Sequence, residues 1–358
     1  MAQFDYWPRY ELANYSYTFE MERSFNPKAS TEWMQNNWIH SFTFSTLYVL
    51  MIYLGRKFME SRKAFELDNA LFCWNMGLAV FSFMGMIRMA PEMFWSINSN
   101  SLVYSICTAS YAQGVTGYWT EKFAMSKVFE LIDTAFIIVR KRPLIFLHWY
   151  HHITVLVYTW HAFKDHTASG RWFILMNYTV HTFMYSYYAL RALRVRVPKP
   201  AAMFVTFIQI AQMVIGVSIG ISIYFIKRAG TNCQQTWSNL YFSFMIYFSY
   251  LLLFCNFFYN AYLKKRTNWS MQRQVKAFNG TSANGHCASG EGDAGVTASV
   301  AGDDEKRIEV DRELILSKTR AASSLTTTLP PQQTTKTPTA AVSTTHRRRA
   351  PAFVFRHR

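Results

Sequence analysis

Charge is scarce in this sequence of 358 residues: Asp, Glu, Lys and Arg together make up 16%, against roughly 25% in soluble globular proteins. Acidic residues are scarcer still, 21 against 37 Lys and Arg, which leaves a net charge of +16. That excess would suit nucleic acid, but the basic residues fall between apolar runs and form no single basic face. A membrane protein distributes them in this way. The first 37 residues lack the apolar core of a cleaved secretory leader, so none is expected. No internal repeat is visible. Beyond Asn279 the aromatics vanish except for Phe353 and Phe355. Such a segment cannot bury enough apolar area to offset the entropy of ordering it, and residues 266–358 are expected to be a largely disordered tail.

What is abundant is apolar: 51% hydrophobic and 17% aromatic residues. A hydrocarbon core is crossed by roughly 20 mostly apolar residues in a helix. Stretches that qualify run about 38–55, 69–90, 123–139, 144–163, 171–190, 201–226 and 239–262. Between the second and third lies a semi-polar segment, Pro91 to Thr120, with room for an interfacial helix. The reading is an all-α polytopic membrane protein: a short outer segment 1–37, a seven-helix domain 38–265 around a cavity, and the tail.

Loop charges orient it. Arg56, Lys57, Arg62 and Lys63 follow the first span; Arg140, Lys141 and Arg142 the third; Arg191, Arg194, Arg196 and Lys199 the fifth; Lys264, Lys265 and Arg266 the seventh. The alternate loops offer little beyond Lys122, Lys164, Arg171, Lys227 and Arg228. By the positive-inside rule the carboxyl end is cytosolic and the amino end lumenal. Of the five cysteines, only Cys107 and Cys233 then face an oxidising compartment. A disulfide between them is expected, the alternative being two free thiols.

Several residues do not belong in lipid, and such residues are functional candidates by default. The fourth stretch reads LIFLHWYHHITVLVYTWHAF, placing His148, His151 and His152 on one helical arc. The third holds Lys127, Glu130 and Asp133 at intervals of three, where neighbours can pair as an ion-paired clamp. The fifth holds Asn177 and His181, spaced so that the amide can orient the imidazole; the sixth holds Thr206, Gln209 and Gln212. For the two glutamines, interhelical hydrogen bonding and substrate contact remain equally open. One polar stripe on each of four spans suggests a shared cavity.

Two chemistries suit histidines in a membrane. An HxxHH box also occurs in di-iron desaturases, but here only His40, His148, His151, His152, His161, His166 and His181 precede the tail. His161 and His166 lie about 15 Å or more along the helix from His148, too scattered for that site. The other is acyl transfer, with neutral imidazole as nucleophile or base. A receptor for lipids would share a greasy cavity but not the charged face and histidine arc.

The blocks KVFELIDT (127–134), HWYHH (148–152), NYTVHTFMY (177–185) and TFIQIAQ (206–212) resemble, in order and spacing, the signature of the ELO family of very-long-chain fatty-acid elongases. The likeness covers about 38–265. Trp149 and the run MYSYYALRA (184–192) look most like the branch acting on saturated and monounsaturated chains. The resemblance implies condensation of a fatty acyl-CoA with malonyl-CoA to a 3-oxoacyl-CoA, without metal or redox cofactor. It implies an acyl-imidazole at the position matching His151, with His148, His152, His181 and Asn177 as further catalytic groups. Lys127, Glu130, Asp133, Tyr185, Gln209 and Gln212 would position substrate, and Lys141 and Arg142 on the basic rim would meet the phosphates of coenzyme A. The implied home is the endoplasmic reticulum membrane, with reductases and a dehydratase as partners in the cycle.

Overall fold

The computed structural model describes residues 10–264, and every regular element among them is helical. The expected tail, 266–358, and the first nine residues lie outside the described residues. The helices are α1 (Glu20–Arg23), α2 (Pro27–Asn37), α3 (His40–Glu60), α4 (Asp68–Trp95), α5 (Leu102–Cys107), α6 (Gly114–Phe129), α7 (Ile132–Val139), α8 (Phe146–Lys164), α9 (Gly170–Ala192), α10 (Lys199–Arg228) and α11 (Trp237–Phe258).

Local chemistry sets their ends. Asn26 caps α2 by accepting from the Ala29 N–H, ahead of Pro27 in its first turn, the position where a missing N–H costs nothing. Ser101 and Thr236 cap α5 and α11 in the same way. After α7, Lys141 takes a left-handed conformation (φ 51°). The N–H groups of Lys141 and Arg142 turn back onto Ile138 and Ile137, satisfying carbonyls that the helix end leaves free.

Three stretches are long and apolar enough to cross a membrane, Asp68–Asn100, Lys199–Arg228 and Trp237–Leu263; α2 with α3, bent by 59°, makes a fourth if the pair is one span. The helices at the third, fourth and fifth expected spans (α6 with α7, α8 and α9) carry the polar residues. The third, expected at 123–139, is not one helix. Around Glu130 the backbone bonds shorten from i−4 to i−3: Leu131 to Val128, Asp133 to Glu130 and Thr134 to Leu131. This tighter winding separates α6 from α7. The helix also begins earlier, at Gly114. The semi-polar segment divides: α4 continues through Pro91 to Trp95, a π-helical turn follows over Ser96–Asn100, and α5 is a short helix.

One further reading is corrected. Arg171 is not a loop charge, because its side chain is fully buried in α9. Its Nε and Nη2 each donate to a different oxygen of Glu92 at 2.8 Å, and Nη1 and Nη2 also reach the Ser105 carbonyl and the Ser110 hydroxyl. A charge with no water around it needs this full set of partners. Beside it Cys107 and Cys233 form a disulfide across 126 residues, with Cα atoms 4.4 Å apart. A second buried pair joins the amino-terminal segment to the bundle. Both oxygens of Glu22 receive Arg88, and Trp119 Nε1 and the Phe19 N–H complete the set. Burial alone would raise the Glu22 carboxyl, but these donors outweigh it and hold the group below its ordinary range.

Candidate active site

The tighter turn between α6 and α7 aims two carboxylates at two neighbours. Glu130 is buried and accepts from Lys127 Nζ at 2.7 Å and Ser126 Oγ at 3.0 Å through Oε1. Lys127 also donates to Asn177 Oδ1 at 3.0 Å, and the Asn177 amide nitrogen lies 3.2 Å from His181 Nε2. His181 Nδ1 in turn lies 3.9 Å from Glu130 Oε1. The i, i+4 spacing on α9 thus does orient an imidazole with an amide, and the amide is held by a buried lysine. Asp133 accepts from Tyr185 at 2.8 Å and from Trp74 Nε1 at 2.6 Å.

The three histidines of α8 divide between two surroundings, although spacing places them on one arc. His148 Nε2 lies 2.9 Å from Thr134 Oγ1, which also meets the Tyr48 hydroxyl. His152 is buried beside it, ring centroids 4.5 Å apart, and its Nδ1 has no partner among the described residues. His151 turns the other way, toward Tyr250 of α11, with ring centroids 5.1 Å apart. Among the described residues no hydrogen bond reaches its ring nitrogens, and the ring borders a cavity of about 70 Å³. Asn177, Gln212 and Tyr250 border the same cavity, whose walls are otherwise mostly apolar.

The structure therefore brings His148, His151, His152, His181, Asn177, Lys127 and Glu130 into one region, with Asp133 and Tyr185 adjoining. Gln209 is not part of the lining: its amide faces Met184 Sδ at 3.3 Å. Lys141 and Arg142 are exposed on the α7–α8 turn, and Lys141 Nζ reaches the Glu60 carbonyl at 3.3 Å. Spacing missed several neighbours. Tyr250 bonds Thr154 Oγ1 at 2.5 Å and the His151 carbonyl at 3.3 Å. Tyr48, Trp74 and Thr134 are ordinary in any apolar run, so no sequence signal marked them. Asp68 was also missed; it pairs with both Arg140 and Arg194 and joins two basic loops. Among the described residues no group of three or more His, Cys, Asp or Glu is arranged to hold a metal ion.

This geometry sits inside the stretch matched by a family model, that of ELO, the GNS1/SUR4 family, over residues 33–270. The chain belongs to the ELO family of fatty-acid elongases. Family membership makes it an enzyme, of the acyltransferase class. A protein of Caenorhabditis elegans named putative fatty acid elongase 3 is 60% identical over 278 residues, 77% of this chain and 87% of its own. Proteins named very long chain fatty acid elongase 6 are each 46% identical. The Drosophila melanogaster protein matches 70% of this chain and 80% of its own, and the Homo sapiens protein 72% and 96%. All of the elongase signature blocks, residues 127–212, fall within the family match.

Proposed function

We propose that this elongase condenses a long-chain saturated or monounsaturated fatty acyl-CoA with malonyl-CoA, by way of an acyl group carried on His151. The observation that carries the reading is the position of His151, whose ring borders an apolar cavity with no hydrogen-bond partner on its nitrogens among the described residues. A neutral imidazole nitrogen attacks the thioester carbonyl. The C–S bond breaks, and the CoA thiolate leaves and takes up a proton. Malonyl-CoA then loses carbon dioxide, and the electron pair of the broken C–C bond forms an enolate. That carbon attacks the acyl-imidazole carbonyl, the C–N bond breaks, the imidazole takes back a proton from solvent to become neutral again, and a 3-oxoacyl-CoA two carbons longer departs. Splitting the transfer in this way replaces one difficult step by two easier ones.

Developing negative charge on the enolate and tetrahedral oxygens requires fixed donors in a water-poor site. His181, His148, His152 and Asn177 stand closest to that task. The Lys127–Glu130 pair holds Asn177 and His181 in place, and Asp133 holds Tyr185. Gln212 faces the acyl chain. Lys141 and Arg142, with Arg140 and Arg194 of the Asp68 cluster, form the basic rim for the CoA phosphates. No metal or redox cofactor takes part. The chain crosses the endoplasmic reticulum membrane seven times with its carboxyl end cytosolic, and works beside the reductases and dehydratase that consume its product.

The deciding experiment incubates the purified full chain with palmitoyl-CoA and labelled malonyl-CoA. Labelled 3-oxostearoyl-CoA formed without added iron or oxygen is the expected result. Its absence under conditions where the protein is folded overturns the reading.

A further inference from the structure

The cavity beside His151 follows the helix that carries it. Along α8 it is lined by Val155, Tyr158, Thr159 and Ala162, spaced so that they share one face of the helix. Eleven residues separate His151 from Ala162, so this wall is about 16 Å long at 1.5 Å per residue. On α9, which runs the other way, Phe173 and Gly170 line the corresponding stretch. Thr167 and Tyr111 belong to the same lining. Tyr111 is 2% exposed, and its hydroxyl donates to the Thr167 carbonyl at 2.8 Å, which closes these two segments on each other. Gly170 has no side chain at the point of closest approach; a Cβ there would collide with the Tyr111 hydroxyl.

The two sides of this closure are tied to one residue. Gln234 donates its N–H to the Cys107 carbonyl and accepts the Ala109 N–H on its side chain, while its own carbonyl accepts the Ala168 N–H. It follows Cys233, which is bonded to Cys107. The segment that bears Tyr111 and the turn that bears Thr167 are therefore held to each other independently of the Tyr111–Thr167 bond. Such a floor resists being pushed aside by a ligand, whereas a side chain on a loose loop would yield.

We propose that Tyr111 is the chain-length-determining residue of this enzyme, its ring forming the floor against which the methyl end of the acyl chain stops; the inference rests on the condensing reading above. An extended hydrocarbon advances roughly 1.25 Å per bond, from a C–C length of about 1.52 Å and an angle of about 111°. The wall from His151 to Ala162 then takes about 13 bonds. With the space up to Tyr111 added, the longest well-accepted substrate is an acyl group of about 14 to 16 carbons.

The test measures condensation rates for a ladder of saturated acyl-CoAs, from lauroyl to behenoyl, with labelled malonyl-CoA and the purified full chain. Each profile is read as the rate on the longer chains relative to myristoyl-CoA. Tyr111→Ala is expected to move the upper limit by at least one two-carbon step. Ala162→Leu, which leaves the Tyr111 bond in place, is expected to move it the other way by narrowing the wall, and Tyr111→Leu stands in for Tyr111→Ala if that variant does not fold. A folded Tyr111 variant that keeps the wild-type profile overturns the assignment of the floor alone, whatever Ala162→Leu does. A folded wild type that condenses no acyl-CoA at all overturns the elongase reading, and this inference with it.

Discussion

Glu92 and Glu130 are both buried carboxylates, one inside a helix and one at a helix end, each with a buried cation against it, and the fold completes only one of them. Glu92 uses both oxygens, one for Arg171 Nε and the other for Arg171 Nη2 and Ser110. The guanidinium in turn spends its remaining donors on Ser105 and Ser110. Glu130 crowds Lys127 and Ser126 onto Oε1, with His181 at 3.9 Å, and leaves Oε2 buried without a partner among the described residues. His152 Nδ1, a few side chains away, is left in the same condition. An unpartnered buried polar atom costs about 1–3 kcal/mol and calls for a reason. At the Glu92 end, polar groups are there to hold loops together beside the disulfide. At the Glu130 end they keep hydrogen-bonding capacity free among the described residues, which the proposed reaction would use.

That contrast predicts which losses appear as activity and which as stability. The largest effect is expected from His151→Ala: product formation falls to background while expression, membrane insertion and thermal unfolding stay close to wild type. Substantial turnover by this variant would remove His151 as the acyl carrier. Arg171→Met should do the opposite, leaving Glu92 charged and buried. It should destabilise the protein by about 3–5 kcal/mol, read as a lowered unfolding midpoint in detergent. The fraction that remains folded should turn over at nearly the normal rate. If the variant instead keeps its midpoint and loses turnover, the two ends have been assigned the wrong way round.

Glu130→Gln keeps the shape but removes the charge that orders Lys127, Asn177 and His181. A misplacement near the chemistry can cost up to about 100-fold in rate, so turnover should fall by an order of magnitude or more. The unfolding midpoint should shift less than in Arg171→Met. The smallest effect is expected from Gln212→Ala, at the cavity wall. Its rate should drop a few-fold and stay measurable, with most of the change in KM; complete loss would place Gln212 among the groups that touch the reacting atoms.

Much of the helical frame was legible in the residues because apolar length is a local property. The expected stretches at 69–90, 171–190 and 201–226 fall within helices α4, α9 and α10, that at 144–163 overlaps α8 but starts two residues before it, and the boundaries differ by a few residues where caps decide them. The third stretch misled because its polar residues were read on a regular helix, whereas the chain tightens at Glu130 and divides there. The Lys127–Glu130 pair and the Asn177–His181 pair were legible because each is separated by only three or four residues, a spacing at which side chains on helical backbone meet. Arg171 was misread for the same reason in reverse: its partner Glu92 is distant in the chain, and nothing near Arg171 tells a buried charge from a loop charge. Gln209 and Gln212 are three residues apart on α10, yet only Gln212 reaches the cavity.

Hydropathy and helical spacing are written residue by residue, and they already mark a helical membrane protein with imidazole, amide and carboxylate groups on successive helical stretches. The family followed from the order of four short blocks. Only the tertiary structure decided which way each group faces: His151 to the cavity, His148 and His152 to Thr134 and Tyr48, Glu130 to Lys127 and His181. It also brought Tyr111 against Thr167 and Gly170, through contacts between segments far apart in the chain. The strength of those contacts depends on distance and burial, and neither is a property of any one stretch of sequence.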